Sequence, residues 1–179
     1  MKHIFLLFLL LCFSCNDNVK EQKKVISEVA DLEAKKQNSA LDLEIYDYDG
    51  LEPLINKVDN KVHVVNFWAT WCAPCVKELP FFEAVKEKYE DDGLEVLLVS
   101  LDFPKNYESK LIPYIAKHNL KSKVVALDDT DQNRWIPAIN KDWSGAIPAT
   151  IIYNKDKRLF FEKSFSQEEL ETEIQRFIK

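Results

Sequence analysis

The sequence has no excess of positive charge. It contains 24 lysine and arginine residues against 30 aspartate and glutamate residues, which gives a formal net charge of -6 and a pI of about 5.2. A basic surface is what attracts the phosphate backbone of nucleic acids. We therefore predict that nucleic acid is not a partner of this protein.

Metal ligands are scarce as well. The chain has four cysteines and three histidines, and outside the first 15 residues only Cys72 and Cys75 remain as cysteines. A structural zinc site needs four ligands, and His63 and His118 each stand alone in the sequence. Val76 rather than histidine follows the second cysteine, so the Cys-x-x-Cys-His pattern of haem attachment is excluded. We expect neither a metal nor a cofactor.

A long hydrophobic run is missing too. Residues 4–13 are uncharged and apolar, but these ten residues are too few to span a bilayer, which takes about 20. The run follows Lys2, and this layout is typical of a secretory signal. A buried N-terminal helix is the alternative, but the run is apolar on every side and a polar tract follows it. We therefore expect the protein to be exported.

The residues at the end of this run resemble a bacterial lipobox, in which a small residue precedes the cysteine that is lipidated and becomes the new N-terminus. Ser14 fits the position before Cys15. Cys12 and Phe13 depart from the small or aliphatic residues that are usual at these positions of a lipobox. We predict a signal peptide with a lipobox at residues 1–15 and a lipid anchor on its last cysteine. A secretory signal that is cleaved without lipidation is the alternative.

The remaining chain divides into a polar tract and one domain. Residues 16–40 are rich in charged and amide side chains and contain no aromatic residue, so we expect a solvated tether or a short amphipathic helix. Residues 41–179 are long enough for one domain with a hydrophobic core. Their pattern alternates between strands and helices, which is typical of an α/β fold.

Strands are predicted where short apolar or β-branched runs occur, and helices where apolar residues recur three and four positions apart. The predicted strands cover 41–45, 62–67, 94–101, 124–127, 150–153 and 158–162. The predicted helices cover 52–57, 73–92 and 110–118, and a last helix begins at Gln167. Pro137 is expected to limit residues 131–140 to short turns, because proline interrupts helical hydrogen bonding.

The segment Trp71-Cys72-Ala73-Pro74-Cys75 joins a predicted strand to the start of a predicted helix. Backbone amides without partners and the positive end of the helix dipole stabilise a thiolate there, so Cys72 is expected to be a nucleophile. Cys75 lies one turn further inward and can attack the first sulfur, which resolves a mixed disulfide with a substrate. A purely structural disulfide over so short a loop would constrain almost nothing. The motif therefore indicates redox catalysis.

Residues 65–80 resemble the active-site segment of thioredoxin-like proteins, most of all the TlpA and ResA branch of membrane-tethered disulfide reductases. Residues 145–150 are similar to the cis-proline loop of that family. The resemblance covers about residues 41–179 and implies a three-layer fold, with an N-terminal extension and a central mixed β-sheet flanked by helices. The gap of 73 residues between Cys75 and Pro148 fits a β and α insert between the Cys-x-x-Cys helix and the cis-proline strand, as in this branch.

The resemblance also implies a substrate platform. The peptide bond before Pro148 is expected to be cis, and the main chain of Ile147 is expected to pair with an extended substrate. Trp71 is the tryptophan that we expect beside the substrate groove, whereas Trp135 and Trp143 are equally well explained as core residues. An ordinary trans proline at the start of a strand is the alternative for this loop.

An acidic residue is expected near the second cysteine. The buried acid of cytosolic thioredoxin is replaced by Asn66, whose amide cannot accept a proton. Glu78, one helical turn after Cys75, is the available substitute, and the branch that this chain resembles carries an acid at this place. A partly buried carboxyl has a raised pKa and can relay the proton of the cysteine. A solvated helix glutamate is the alternative.

These features predict an enzyme that reduces disulfides of exported proteins through the Cys72–Cys75 couple. The resemblance implies that the electrons come from a membrane thiol donor. We expect a monomer in the bacterial cell envelope that faces the periplasm and is held to a membrane by its N-terminal lipid. Two alternatives stay open: a thiol peroxidase of the same superfamily, and a copper-handling or binding module without catalysis.

Overall fold

The computed structural model describes residues 43–178; the predicted signal peptide at 1–15, with Cys15, and the tether at 16–40 lie outside them. The described residues contain six strands and five α-helices. The strands are β1 (Glu44–Tyr46), β2 (Val62–Trp68), β3 (Leu94–Ser100), β4 (Lys123–Leu127), β5 (Ala149–Tyr153) and β6 (Arg158–Phe161). The helices are α1 (Tyr48–Ile55), α2 (Ala73–Tyr89), α3 (Ile112–His118), α4 (Gln132–Ile139) and α5 (Gln167–Gln175).

The six strands form one mixed sheet with the order β1-β4-β3-β2-β5-β6. Strands β1, β4, β3 and β2 run parallel, whereas β5 pairs antiparallel with β2, and β6 antiparallel with β5. All seven residues of β2 are buried, because this strand has a neighbour on each side and helices cover both of its faces. The arrangement confirms the predicted α/β fold with a central mixed sheet.

Helices cover the sheet from both sides. Successive residues of a strand point to opposite faces, and Val64 and Val65 of β2 accordingly belong to two different apolar clusters. Helices α2, α3 and α5 contribute buried side chains to the cluster of Val64, and α1 and α4 to that of Val65. The described domain therefore has three layers. No helix in this part of the chain is both long and apolar enough to cross a membrane.

One prediction about the helices is wrong. Residues 131–140, expected to form only short turns, contain the eight-residue helix α4 with Pro137 inside it. The carboxylate of Asp131 accepts a hydrogen bond from the backbone N–H of Arg134 at 3.2 Å, and Trp135 is buried. Proline removes one backbone hydrogen bond of the helix. The Asp131 cap and the burial of Trp135 offset the stability that is lost with it.

Some boundaries also differ from the prediction. Helix α1 begins before residue 52, because the side chain of Asp47 accepts a hydrogen bond from the backbone N–H of Gly50 at 2.9 Å and caps it. Helix α2 ends at Tyr89, three residues before its predicted end at residue 92. A 3-10 turn at Pro104–Asn106 and a π-helical stretch at Tyr107–Leu111 lead into α3, where the sequence pattern predicts one helix from residue 110.

Candidate active site

Three loops meet at one edge of the sheet. Strands β2 and β3 end side by side, since Trp68 pairs with Ser100. Strand β5 runs in the opposite direction and begins at the same edge, where Ala149 pairs with Phe67. The loops after β2 and β3 and the loop before β5 therefore come together, and the first of them leads into the Cys-x-x-Cys motif.

Cys72 and Cys75 form a disulfide at the first turn of α2. Cys72 is the N-cap residue of this helix, and its Sγ accepts a hydrogen bond from the backbone N–H of Cys75 at 3.3 Å. Cys72 is 6% exposed, whereas Cys75 is fully buried. Cys72 is thus the more accessible of the two residues, and the helix start stabilises a negative charge on its sulfur once the disulfide is reduced.

The loop before β5 contacts this sulfur. The peptide bond between Ile147 and Pro148 is cis, as predicted, and Pro148 is buried. The carbonyl oxygen of Ile147 lies 3.7 Å from Sγ of Cys72. The fold thus brings together two predicted site residues that are 75 positions apart in the sequence.

The three tryptophans considered for the substrate groove differ in exposure. Trp71 is 55% exposed, whereas Trp135 and Trp143 are buried. The indole N–H of Trp135 donates a hydrogen bond to the carbonyl of Asp129 at 3.1 Å. That of Trp143 donates to the carbonyl of Ala146 at 2.8 Å, inside the cis-proline loop. Only Trp71 is accessible from solvent, and the other two belong to the core.

Glu78 is buried, with 1% of its surface exposed. Its Oε2 accepts hydrogen bonds from the backbone N–H of Phe165 at 2.7 Å and from the hydroxyl of Ser164 at 3.0 Å. Its Oε1 accepts one from the side-chain amide of Asn66 at 3.1 Å. Burial raises the pKa of Glu78 above its ordinary value, although these three hydrogen bonds act in the opposite direction. Glu78 is therefore not a solvated helix glutamate.

Asn66 connects Glu78 to strand β5. Its Nδ2 also donates a hydrogen bond to Oγ1 of Thr150 at 3.1 Å, and all three side chains are buried. The Oδ1 of Asn66 has no hydrogen-bond partner among the described residues. A protonated carboxyl needs an acceptor, and a rotated Asn66 amide offers Oδ1 for that purpose. As it stands, the site is complementary to the ionised carboxylate, which accepts all three hydrogen bonds.

A second buried carboxylate, which the sequence analysis missed, holds the loop before Cys72. Asp102 accepts hydrogen bonds from the backbone N–H of Thr70 at 2.9 Å and from its hydroxyl at 2.5 Å. The hydroxyl of Ser100 donates to the same carboxylate at 2.9 Å. The signal that could have found this contact is the position of Thr70 and Asp102 just beyond two neighbouring parallel strands, whose carboxyl ends meet at one edge.

The groups that converge at this edge are two sulfurs, a buried carboxyl and the cis-proline loop. The part of the chain that the structure describes contains no group of three His, Cys, Asp or Glu side chains arranged as metal ligands. The arrangement is suited to thiol-disulfide exchange, in which the more accessible sulfur forms a mixed disulfide with a substrate and the buried sulfur resolves it.

Comparison with known proteins gives the family of the chain. The AhpC/TSA family profile matches residues 36–161. The chain belongs to the AhpC/TSA family. The thiol-disulfide oxidoreductase ResA of Geobacillus thermodenitrificans is 28% identical over 122 residues, which cover 68% of this chain and 65% of that protein. ResA of Bacillus thuringiensis subsp. konkukian is 32% identical over 105 residues, which cover 51% of each chain. This AhpC/TSA-family chain thus matches only 51–65% of the length of these two relatives.

A solved structure has the same fold. The thiol:disulfide interchange protein of the thioredoxin family from Chlorobium tepidum superposes with a TM-score of 0.57 at 18% identity, over 74% of this chain and 90% of that chain. The likeness at this identity concerns the fold, which is thioredoxin-like. These findings confirm the predicted resemblance to thioredoxin-like proteins and their ResA-type members. The names of the ResA relatives agree with the coarser prediction of a thiol-disulfide oxidoreductase.

Proposed function

We propose that this AhpC/TSA-family protein is a thiol-disulfide oxidoreductase that reduces disulfides in exported proteins. The observation that carries the proposal is the disulfide at the start of α2, in which Cys72 caps the helix and Cys75 is buried. An accessible sulfur therefore has a resolving partner three residues away. The names of the ResA relatives support thiol-disulfide oxidoreductase activity.

The proposed reaction starts from the reduced pair. The Cys72 thiolate attacks one sulfur of a client disulfide, a bond forms between Cys72 and that sulfur, and the other client sulfur leaves as a thiolate that takes up a proton. Cys75, after losing its proton, attacks Sγ of Cys72 and releases the first client sulfur as a second thiolate. Two electrons pass from the enzyme thiols to the client, and the enzyme is left with the Cys72–Cys75 disulfide.

We assign the removal of the Cys75 proton to Glu78. The two residues are three positions apart on α2, so they lie on the same face of the helix. The raised pKa of the buried carboxyl makes it a stronger base than an ordinary glutamate. When the proton arrives, rotation of the Asn66 amide supplies the acceptor that the protonated carboxyl needs.

We assign client binding to the cis-proline loop and to Trp71. The carbonyl oxygen of Ile147 lies 3.7 Å from Sγ of Cys72, so an extended client that reaches this sulfur passes the main chain of Ile147. Main-chain hydrogen bonds to an extended segment do not depend on its sequence. Pro148 holds the loop in place, and the exposed indole of Trp71 borders the same surface.

The cell envelope is the proposed location. The protein works there as a monomer that faces the periplasm, with lipid on Cys15 as its anchor and a membrane thiol donor as its reductant. Mass spectrometry of the membrane fraction tests the anchor: we expect a mature chain that begins with lipid-modified Cys15, and release from the membrane in Cys15→Ser. An unmodified Cys15 would contradict the anchor and leave the redox proposal intact.

The redox proposal is tested with the reduced full-length chain and an oxidised model protein. We expect the wild type to reduce this protein, Cys72→Ser to be inactive, and Cys75→Ser to accumulate a mixed disulfide on Cys72 that mass spectrometry detects. Val58→Ser, which alters an exposed residue beyond the opposite end of β2, is the control. Consumption of peroxide or tight binding of Cu(I), without disulfide reduction, would instead favour the thiol peroxidase or the copper-handling module.

The direction of electron flow has its own measurement. The dipeptide Ala73-Pro74 between the cysteines is closer to the reducing members of the superfamily than to strong oxidants. Equilibration with dithiothreitol or glutathione buffers should therefore give a potential nearer to about -270 mV than to about -120 mV. A value near the second figure would contradict the reductase direction.

A further inference from the structure

Two exposed aromatic rings lie next to the reactive cysteine. The large hydrophobic residues that are exposed in the described chain are Ile45, Val58, Trp71 and Phe103. The rings of Trp71 and Phe103 face each other, with centroids 6.4 Å apart and planes 22° from parallel. They are 55% and 59% exposed, and Trp71 directly precedes Cys72 in the chain. Exposed aromatic residues that pair at a reactive site, rather than being scattered singly, mark a binding surface.

The pair is held by the buried hydrogen bonds of Asp102. This carboxylate accepts two hydrogen bonds from Thr70 and a third from the hydroxyl of Ser100. Thr70 directly precedes Trp71, and Asp102 directly precedes Phe103. The two loops are therefore joined one residue away from each ring, so the backbone that carries the rings is held in place before any client binds, and binding loses less conformational freedom.

The surface around the pair is poor in charge. Residues 69–75 contain no charged side chain, and residues 103–106 contain only Lys105, in a chain of which 30% of the residues are charged. The segment that carries Trp71 and both cysteines is therefore uncharged, and the one nearby lysine, Lys105, places its Nζ 6.0 Å from the centre of the Phe103 ring. A client polypeptide that fits this surface has apolar residues next to its own reactive cysteine.

We propose that Trp71 and Phe103 form an aromatic platform that binds an aromatic or large aliphatic side chain next to the reactive cysteine of an extended client polypeptide. The inference rests on the proposed function and adds a preference among its substrates. The client cysteine bonds to Sγ of Cys72, which follows Trp71 in the chain, so the residues that flank the client cysteine lie at the platform. An apolar flank removes both rings from water, whereas a serine or aspartate leaves them hydrated.

The test compares two synthetic peptides that differ only in a phenylalanine or a serine next to a single cysteine. This cysteine is bound to thionitrobenzoate in a disulfide. The full-length protein is reduced with dithiothreitol and separated from it, and attack of Cys72 on the peptide sulfur releases coloured thionitrobenzoate, whose rate is measured by stopped flow. We expect the wild type to react about tenfold faster with the phenylalanine peptide, which corresponds to an aromatic contact of about 1.4 kcal/mol.

Variants separate the platform from a general effect on the fold. Phe103→Ser is expected to lower the ratio of the two rate constants to below about threefold, and Phe103→Tyr to retain it. Asp102→Asn, which changes the residue that positions the rings, should lower the same ratio. A loss of stability alone would change both rate constants together and leave their ratio unchanged. Val58→Ser removes an exposed apolar side chain elsewhere and should leave the ratio at its wild-type value.

Two outcomes overturn the platform. If the reduced wild type reacts equally fast with both peptides, or if Phe103→Ser keeps the wild-type ratio, the platform is wrong and the proposed function stands. If the reduced wild type reacts with neither peptide and reduces no model protein, the proposed function fails and the platform fails with it.

Discussion

At the scale of single residues, the behaviour of Glu78 depends on groups that lie far away in the sequence. Ser164 and Phe165, which donate hydrogen bonds to it, are 86 and 87 residues further along the chain. Burial raises the pKa of the carboxyl, so it changes charge at a higher pH than an ordinary glutamate. Its charge state therefore affects both the reaction and the stability.

Glu78→Gln is expected to slow the attack of Cys75 on the mixed disulfide, because an amide cannot accept the thiol proton. General-base catalysis typically contributes about 100- to 10,000-fold, which thiol alkylation after rapid quenching can measure. In the wild type the rate of this attack should increase as the pH rises through the raised pKa of Glu78. This increase should be absent in Glu78→Gln. Glu87→Gln, an exposed glutamate of the same helix, is the control. Identical rates and pH profiles for Glu78→Gln and wild type would assign the proton to water or another group.

The same carboxyl should make the free energy of unfolding depend on pH. The pKa of Glu78 is raised in the folded protein, relative to about 4.3 in an unfolded chain, so the folded state binds the proton more tightly. Its stabilising contribution is fully present below the unfolded pKa and is lost as the pH rises through the folded pKa. Denaturant unfolding of the oxidised proteins should therefore find that wild type loses stability relative to Glu78→Gln as the pH increases. A relative stability that increases with pH would contradict the raised pKa.

At the scale of elements, helix starts are determined by neighbouring residues. Cys72, Asp131 and Ser166 each accept a hydrogen bond from the backbone N–H three residues ahead. The starts of α2 and α5 follow from the sequence because the cap and the apolar positions that follow it lie within one or two turns. The helix α4 is not predicted, because Pro137 lies inside it and a proline normally interrupts helical hydrogen bonding.

Ser166→Ala is expected to lower the free energy of unfolding by about 1 kcal/mol, the usual cost of losing an N-cap. Ser166 and Glu169 form a capping box, in which the backbone N–H of Glu169 donates to the Ser166 hydroxyl at 3.3 Å and the Glu169 carboxylate accepts from the backbone N–H of Ser166 at 2.9 Å. Denaturant titration measures the change. Ser166→Thr keeps the hydroxyl oxygen and should stay near wild type, and equal losses in both variants would argue against the cap.

At the scale of the whole molecule, stability comes from the apolar clusters on the two faces of the sheet. Phe82 of α2 is fully buried in one of them. Phe82→Ala should lower the free energy of unfolding by about 3–5 kcal/mol, because it removes a buried ring and leaves a cavity. Val58→Ala changes an exposed side chain and should stay within about 0.5 kcal/mol of wild type. A loss of less than 1 kcal/mol in Phe82→Ala would mean that the cluster repacks.

The order of strands could not be read from the sequence. The apolar runs predict the strands, but the pairing of β5 with β2 brings together residues more than 80 positions apart, such as Asn66 and Thr150. Periodicity reports which face of a strand is apolar and not which strand lies beside it. The resemblance to thioredoxin-like proteins is what predicted a mixed sheet, and the structure confirms it.

What the sequence by itself determined about this protein is local: the cysteine pair at a helix start, the capping box of α5 and the strands with their turns. Each of these depends on hydrogen bonds and apolar spacing within a few residues. The tertiary structure alone decided that Glu78 is buried against Ser164 and Phe165, and that Asp102 joins the loops carrying Trp71 and Phe103. The physical reason is that burial and long-range hydrogen bonds arise only when distant segments pack together, and the pKa of a carboxyl and the exposure of a ring depend on that packing.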